Sequence, residues 1–206
     1  NFELNKYGYF FPPDPASSCI CTIGGMVANN SGGVQAFKYG VTKDYVMFLE
    51  VVLADGKIIN IGSSVRKSVS SYNFTGLFVG SEGTLGVITK IGLKVIPLPK
   101  SRKMGLFIFD SVESIIQAVI ELRKKGIIPN LLEFMDETTT KASFEYLGGE
   151  FLSYPKGIVL LAEVDGNKIQ TDSDFSKLFK IIMKYNPKFH KIAESDKERE
   201  ILLDAR

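Results

Sequence analysis

Hydrophobic and polar positions change rhythm near the middle of the chain. The first hundred residues carry short apolar runs cut by glycine and proline. The second hundred carry strand-length apolar runs that alternate with helix-period segments. Asn1 to Phe11 shows no clear period, and Pro12-Pro13-Asp14-Pro15 after it is expected to be rigid and non-helical. Met26, Val27 and Ala28 predict one helical turn between the pairs Gly24-Gly25 and Gly32-Gly33. Tyr45 to Leu53 is rich in β-branched and aromatic residues, Asp55-Gly56 is a turn signal, and Lys57 to Ile61 returns; together they predict a hairpin. Ser63 to Ser71 reads as a polar loop carrying Arg66 and Lys67. Leu77, Phe78 and Val79 then lead from the core into Gly80-Ser81-Glu82-Gly83-Thr84-Leu85-Gly86, and Val87 and Ile88 lead back. Thr84 to Ile96 reads as strands with bends at Gly86 and Gly92, and Pro97-Leu98-Pro99 marks a domain boundary.

Beyond that boundary Met104 to Phe109 predicts a strand. Asp110 with Glu113 three residues on suggests a capping box. Val112, Ile115, Ile116 and Val119 fit the amphipathic helix template, closed by Lys124, Lys125 and Gly126. Asn130 to Met135, Gly157 to Val164 and Lys188 to Ala193 predict further strands. Asp136 to Leu147 predicts a helix, and Phe175, Leu178, Phe179 and Ile182 predict another, stopped at Asn186-Pro187. Glu194 to Arg206 begins a charged helix. The order β-α-β-(α)-β-α-β is that of a ferredoxin-like α+β sandwich.

Composition narrows the function classes. The 25 Lys and Arg nearly balance the 23 Asp and Glu, giving a net charge of +2 with no basic stripe, which argues against nucleic acid as a partner. The apolar runs Val46–Ala54 and Gly157–Ala162 fall far short of the roughly 18 residues of a membrane span. Cys19 and Cys21, one residue apart, make neither a disulfide framework nor a zinc site; they read as small buried residues of a reduced, cytoplasmic protein. The first residue, Asn1, is not methionine, so the sequence reads as an internal fragment. The single histidine, His190, has no sequence partner for catalysis or a metal and reads as an ordinary satisfied side chain.

The chemistry must therefore come from the glycine-rich loops. The Rossmann pattern G-x-G-x-x-G and the P-loop pattern are both absent. Thr22–Gly33 and Gly80–Gly86 nevertheless place two glycine-rich, hydroxyl-bearing loops in one stretch. Residues alone leave two readings open: two tight structural turns, or two nests of backbone N–H groups around a pyrophosphate with a long planar body.

Five segments occur in a telling order: Pro12-Pro13-Asp14-Pro15, Thr22 to Ala28, Tyr39-Gly40, Val51 to Gly56, and Leu77 to Thr89. Together they resemble the FAD-linked oxidases of the vanillyl-alcohol oxidase and p-cresol methylhydroxylase (PCMH) type. The branch resembled holds D-lactate dehydrogenases, glycolate oxidase large subunits and D-2-hydroxyglutarate dehydrogenases. Arg66-Lys67-Ser68 leading to Tyr72-Asn73-Phe74-Thr75-Gly76 is most like the cytochrome-linked D-lactate dehydrogenases. The likeness is dense over residues 12–99 and looser over 100–206, where Leu132-Glu133-Phe134-Met135-Asp136 is similar to a cap-domain strand.

The resemblance implies the second part of a PCMH-type FAD-binding domain over residues 1–99 and the first part of a substrate cap over 100–206, so an α+β protein. It implies FAD as cofactor. Pro13, Asp14, Ser17, Thr22, Gly24 and Gly25 would lie along it, joined by Asn29, Asn30, Ser31 and Gly32. Glu82, Gly83, Thr84, Leu85, Gly86, Val87 and Ile88 would clamp it from the other loop. Arg206 would bind a substrate carboxylate, and no metal ligand is expected. The family's first FAD subdomain would precede Asn1, and its His-Gly-Asp-Gly-Asn-x-His segment would follow Arg206. Three positions depart from the pattern: Ser71 replaces a glycine, Ser31 an alanine, and Leu203 a tryptophan. The function implied is oxidation of a small D-2-hydroxy acid, D-lactate or glycolate, with electrons passed to a separate acceptor and the isolated chain inactive. The alternative is a non-catalytic flavin-binding subunit, or a structural module of an oxidase complex.

Overall fold

The computed structural model describes residues 1–65, 67–69 and 72–206. Arg66 and Ser71, both singled out above, lie outside the described residues. The chain divides into two compact units, Asn1–Leu98 (unit 1) and Pro99–Arg206 (unit 2). Among the described residues no helix is long and apolar enough to cross a membrane.

Unit 1 runs α1 (Phe2–Asn5), β1 (Tyr9–Phe10), α2 (Ile23–Asn29), α3 (Ala36–Tyr39), a 3-10 turn (Thr42–Asp44), β2 (Val46–Val52), β3 (Ile58–Gly62), α4 (Phe74–Phe78), β4 (Val87–Leu93) and β5 (Ile96–Pro97). Strands β3-β2-β4 form an antiparallel sheet, and β1 pairs with β5. The Asp55-Gly56 hairpin forms as expected, with Leu53 N donating to Lys57 O and Gly56 N to Leu53 O, both at 2.9 Å. One face of the sheet packs Leu49 and Val51 against Val27 of α2 and Phe78 and Val79. The aperiodic start is ordered by a long-range pair: Asn1 Nδ2 donates to Phe11 O and Phe11 N donates to Asn1 Oδ1, at 3.0 and 2.7 Å.

Two local expectations shift. Gly24 and Gly25 lie inside α2 rather than before it, because Thr22 caps the helix by accepting from Gly25 N at 3.0 Å. Gly92 is no bend. It lies within β4 opposite Phe48, whose ring occupies the space a Cβ would need. The irregularities of the β2–β4 ladder fall between Val46 and Phe48 and between Glu50 and Val51 instead.

Unit 2 runs β6 (Ser101–Phe109), α5 (Val112–Lys124), β7 (Leu131–Met135), α6 (Glu137–Leu147), a 3-10 turn (Gly149–Ser153), β8 (Ile158–Gly166), α7 (Lys168–Met183), β9 (Phe189–Ile192) and α8 (Asp196–Leu203). The antiparallel sheet has the order β7-β8-β6-β9. This is the ferredoxin-like arrangement with α6 inserted before the third strand. Phe107, Phe109, Leu160, Ala162 and Val164 face α5 and α7, where Ile115, Leu122, Phe175, Leu178 and Ile182 complete the core.

The face that α5 buries is rotated from the expected one. Ile115, Ala118 and Leu122 are buried, while Val112 and Ile116 are 40% and 45% exposed. The 3.6 period is satisfied by either stripe, and the sheet selects the one with small Ala118 at its centre. Ser111, not Asp110, occupies the cap position without a side-chain cap bond, and Asp110 pairs with Lys188.

Candidate cofactor site

The site is built where the two glycine-rich loops meet. Met26 and Val27 anchor α2 in the core, which leaves its glycine side open: a Cβ on Gly24 would meet only Thr22 Oγ1, at 3.9 Å. Asn30 ends α2 in the left-handed region, and its Oδ1 accepts from Lys43 N at 2.9 Å. Ser31 O accepts from Thr42 N at 3.0 Å and Thr42 Oγ1 at 2.7 Å, and Thr42 is fully buried. Gly33 lies so close to the proline segment that a Cβ there would overlap the Asp14 carbonyl. Asp14 and the turn Asn29–Gly32 are thereby drawn to one place.

The second loop closes on the first. Asn73 caps α4 by accepting from Gly76 N at 2.9 Å, and α4 delivers the chain to Gly80. Gly80 N then donates to Val27 O at 3.0 Å, and Glu82 N donates to Ala28 O at 2.9 Å. Glu82 and Gly83 both have positive φ, 50° and 77°, and nothing lies within 4 Å of a Cβ on Gly83. Glycine suits Gly83 on both counts: a backbone that L side chains resist, and room for a ligand to approach. Thr84 Oγ1 donates back to Ser81 O at 2.6 Å.

This geometry changes how the loop could hold an anion. The Gly80 and Glu82 amides are already spent on α2 carbonyls, and those of Ser81 and Thr84 on turn carbonyls. The anion nest expected from the glycines is therefore reduced to the remaining amides, Gly83 and Leu85 among them. Ser81 Oγ and Gln35 Oε1 are buried and without a hydrogen-bond partner. A native interior rarely leaves such atoms unmet; Asn130 Oδ1, Tyr154 OH and Thr171 Oγ1 in unit 2 are unmet as well, so Ser81 and Gln35 stand apart only in belonging to unit 1. Neither residue is marked by the sequence. Serine in a glycine turn reads as turn chemistry, and Gln35 sits in no motif.

The other expected residues divide in two. Thr22, Gly25, Thr84, Leu85 and Val87 keep accessible surface, with Leu85 at 41% and Val87 at 65%, as do Ser17 and Asn29. Ile88 is partly buried against the Val27–Leu49–Val51 core. Pro13 is likewise buried by the chain itself. A Cβ on Gly86 would overlap Val51, so this glycine serves close approach to β2. Arg206 lies exposed in unit 2, just past α8. Cys19 is exposed and Cys21 half-buried, both free, which corrects the expectation that they are buried. His190 stacks on Phe107 at 6.4 Å and meets Phe179 edge-on at 5.2 Å. Among the described residues no three His, Cys, Asp or Glu side chains come together for a metal. A groove of about 840 Å³ in unit 1, lined by Ser63, Tyr72, Asn73, Thr75 and Ile96 among others, contains none of the expected site residues.

Fold and loops together define a flavin-linked protein, and the comparisons agree. Residues 1–62 match the model of an FAD binding domain, and residues 98–206 match FAD linked oxidases, C-terminal domain. The second match spans more than half of the chain, which belongs to the FAD-linked oxidase family. Glycolate oxidase subunit GlcD of Bacillus subtilis is 41% identical over 98% of this chain and 43% of its own length. A D-lactate dehydrogenase of Anaerostipes hadrus is 41% identical over 80% of this chain and 36% of its own. The chain thus spans less than half the length of these relatives. A solved alkyldihydroxyacetonephosphate synthase shares the fold, with a TM-score of 0.79 and 24% identity over 99% of this chain and 40% of that one.

Proposed function

We propose that the full-length protein carrying this chain oxidises a small D-2-hydroxy acid, D-lactate or glycolate, to the 2-oxo acid and hands the electrons to a separate acceptor. In this reading residues 1–99 close the FAD-binding domain and residues 100–206 open the substrate cap. FAD, when bound, supplies the acceptor for the hydride that leaves the substrate α-carbon. This chain's own residues bind and orient. Gly24, Gly25 and Gly83 let the cofactor approach backbone. Ser81 donates a hydroxyl and Gln35 offers an amide oxygen. Leu85 and Val87 cover apolar ring surface and exclude water. Arg206 holds the substrate carboxylate, which orients the α-carbon hydrogen for transfer. Free thiols at Cys19 and Cys21 suit a reducing compartment such as the cytoplasm.

The observation that carries the reading is the joining of the two loops through Gly80 N and Glu82 N onto the end of α2, in a chain 41% identical to a glycolate oxidase subunit. The test is the full-length protein. It is expected to purify with flavin absorbance and to reduce a dye with D-lactate or glycolate. Glu82→Ala and Gly83→Val are expected to lose the flavin. A colourless protein that FAD does not reconstitute overturns the cofactor role, and a yellow protein inert to both acids overturns the substrate. The isolated 206 residues are expected to bind FAD weakly and to turn over neither acid.

A further inference from the structure

The sheet of unit 2 buries a charge that the proposed chemistry does not use. Glu163, in β8, has no exposed surface. Strand alternation puts it on the face away from α5 and α7, with Met104, Leu106, Val159 and Leu161, all buried. Its carboxylate accepts from Arg199 Nε, from Arg199 Nη2 at 3.1 Å and from Asn130 Nδ2 at 2.6 Å. Asn130 is fully buried, and its backbone N donates to Glu163 O at 2.9 Å. The Arg199 side chain is only 16% exposed. Burial alone would depress the guanidinium pKa, but the Glu163 carboxylate, with the Asp196 and Glu200 charges, more than offsets this and the pKa is raised.

A buried carboxyl group needs polar partners. Here a guanidinium fork and an amide meet it. Yet apolar side chains of similar volume hold such a place as well or better, so stability alone does not explain the pair. What the fork adds is geometry, since two bonds to one carboxylate fix the rotation and height of the helix that carries Arg199. Helix α8 is also tied to β9 by Glu198, whose carboxylate lies 3.4 Å from Lys191 Nζ, but that pair is more exposed and has no fork. The helix reads DKEREILL, and a helix this short is marginal by itself. Leu202 is its buried apolar residue, and just beyond it Ser143 Oγ donates to Ala205 O at 2.6 Å. Arg206 is the next residue.

We infer that Glu163, Arg199 and Asn130 form a positioning lock that seats α8 on the sheet and thereby fixes where Arg206 is held. The lock stands on the geometry alone; its consequence for Arg206 rests on the proposed function. Two variants of the full-length protein test it. Arg199→Lys keeps the charge and loses the fork. The double variant Glu163→Leu with Arg199→Met keeps the packing and loses the charges. Amide hydrogen exchange over residues 196–206 is expected to speed up by about tenfold or more in both, while β6, β8, α5 and α7 keep their protection. With the flavin bound, KM for the hydroxy acid is expected to rise about tenfold with kcat changed far less. Unchanged exchange in the double variant overturns the lock, because the pair would then only fill space. Faster exchange with unchanged KM overturns the link to Arg206 and leaves the lock. A wild-type protein that oxidises no hydroxy acid removes the proposed function, while the exchange result still decides the lock.

Discussion

Strands β6 and β8 of unit 2 pair over nine residues without a slip, whereas β2 and β4 of unit 1, seven residues each, pair with two register shifts. The helices differ in the same direction. Unit 2 has α5, α6 and α7 of 13, 11 and 16 residues. In unit 1 the longest helix, α2, has seven, and two of those are glycine. Unit 2 closes one sheet face with a continuous aromatic and aliphatic core. Both units leave large apolar side chains open, Tyr72 at 84% and Val87 at 65% in unit 1 and Tyr146 at 90% and Ile169 at 84% in unit 2. Regular elements bury themselves, while turns held by a few backbone bonds keep surface and donors for something else. What separates the two units is therefore the regularity of their elements, and the match to an FAD binding domain falls on unit 1.

The sharpest way to break this contrast is to attack unit 2 at the buried Glu163–Arg199 pair. Glu163→Ala leaves Arg199 without its partner and is expected to cost about 3–5 kcal/mol in urea unfolding. A loss within the error of the measurement would mean that unit 2 is not held as described. In unit 1 the corresponding blow is Gly33→Ala. The new Cβ meets the Asp14 carbonyl, and about 2–3 kcal/mol is expected from the displaced backbone, together with reduced flavin content in the full-length protein. Retained stability and flavin would show that the proline segment can move freely.

Smaller changes sharpen the distinction rather than break it. Thr22→Ala removes the α2 cap and is expected to cost about 1 kcal/mol, read as a lower melting temperature. Val87→Ser is expected to leave stability within about 0.5 kcal/mol yet to lower flavin occupancy, since Val87 is exposed in the chain itself. A Val87→Ser protein that unfolds early but keeps its flavin would reverse the roles assigned to surface and core. The smallest effect belongs to Tyr154. Burial first, and then the nearby Glu150 carboxylate, push its phenol from 10.0 up to about 12. The folded state therefore holds this proton more tightly than the unfolded state. Its contribution is whole below about pH 10 and is lost as pH rises through about 12. Alkaline titration of phenolate absorbance against Tyr154→Phe reads it directly.

Much of this was legible before any coordinates. The Asp55-Gly56 hairpin and the strands of unit 2 follow from neighbours within a few residues. Family order pointed to FAD and to both loops. The failures share a cause. The pattern Val112, Ile115, Ile116, Val119 fits a helix, but which stripe is buried depends on the sheet beneath. Gly92 reads as a bend until the Phe48 ring is placed over it.

The sequence by itself determined the local grammar of this protein: where the chain turns, where helices start, which loops carry glycine, and the family those loops belong to. These rest on forces between near neighbours, such as steric limits on φ, caps and side-chain period. Only the tertiary structure decided which amides of the second loop were spent, and left Ser81 Oγ unmet there. It alone set Arg199 on Glu163, 36 residues away. Such pairings depend on distances between distant segments and on the low dielectric that burial creates, and no period along the chain records either.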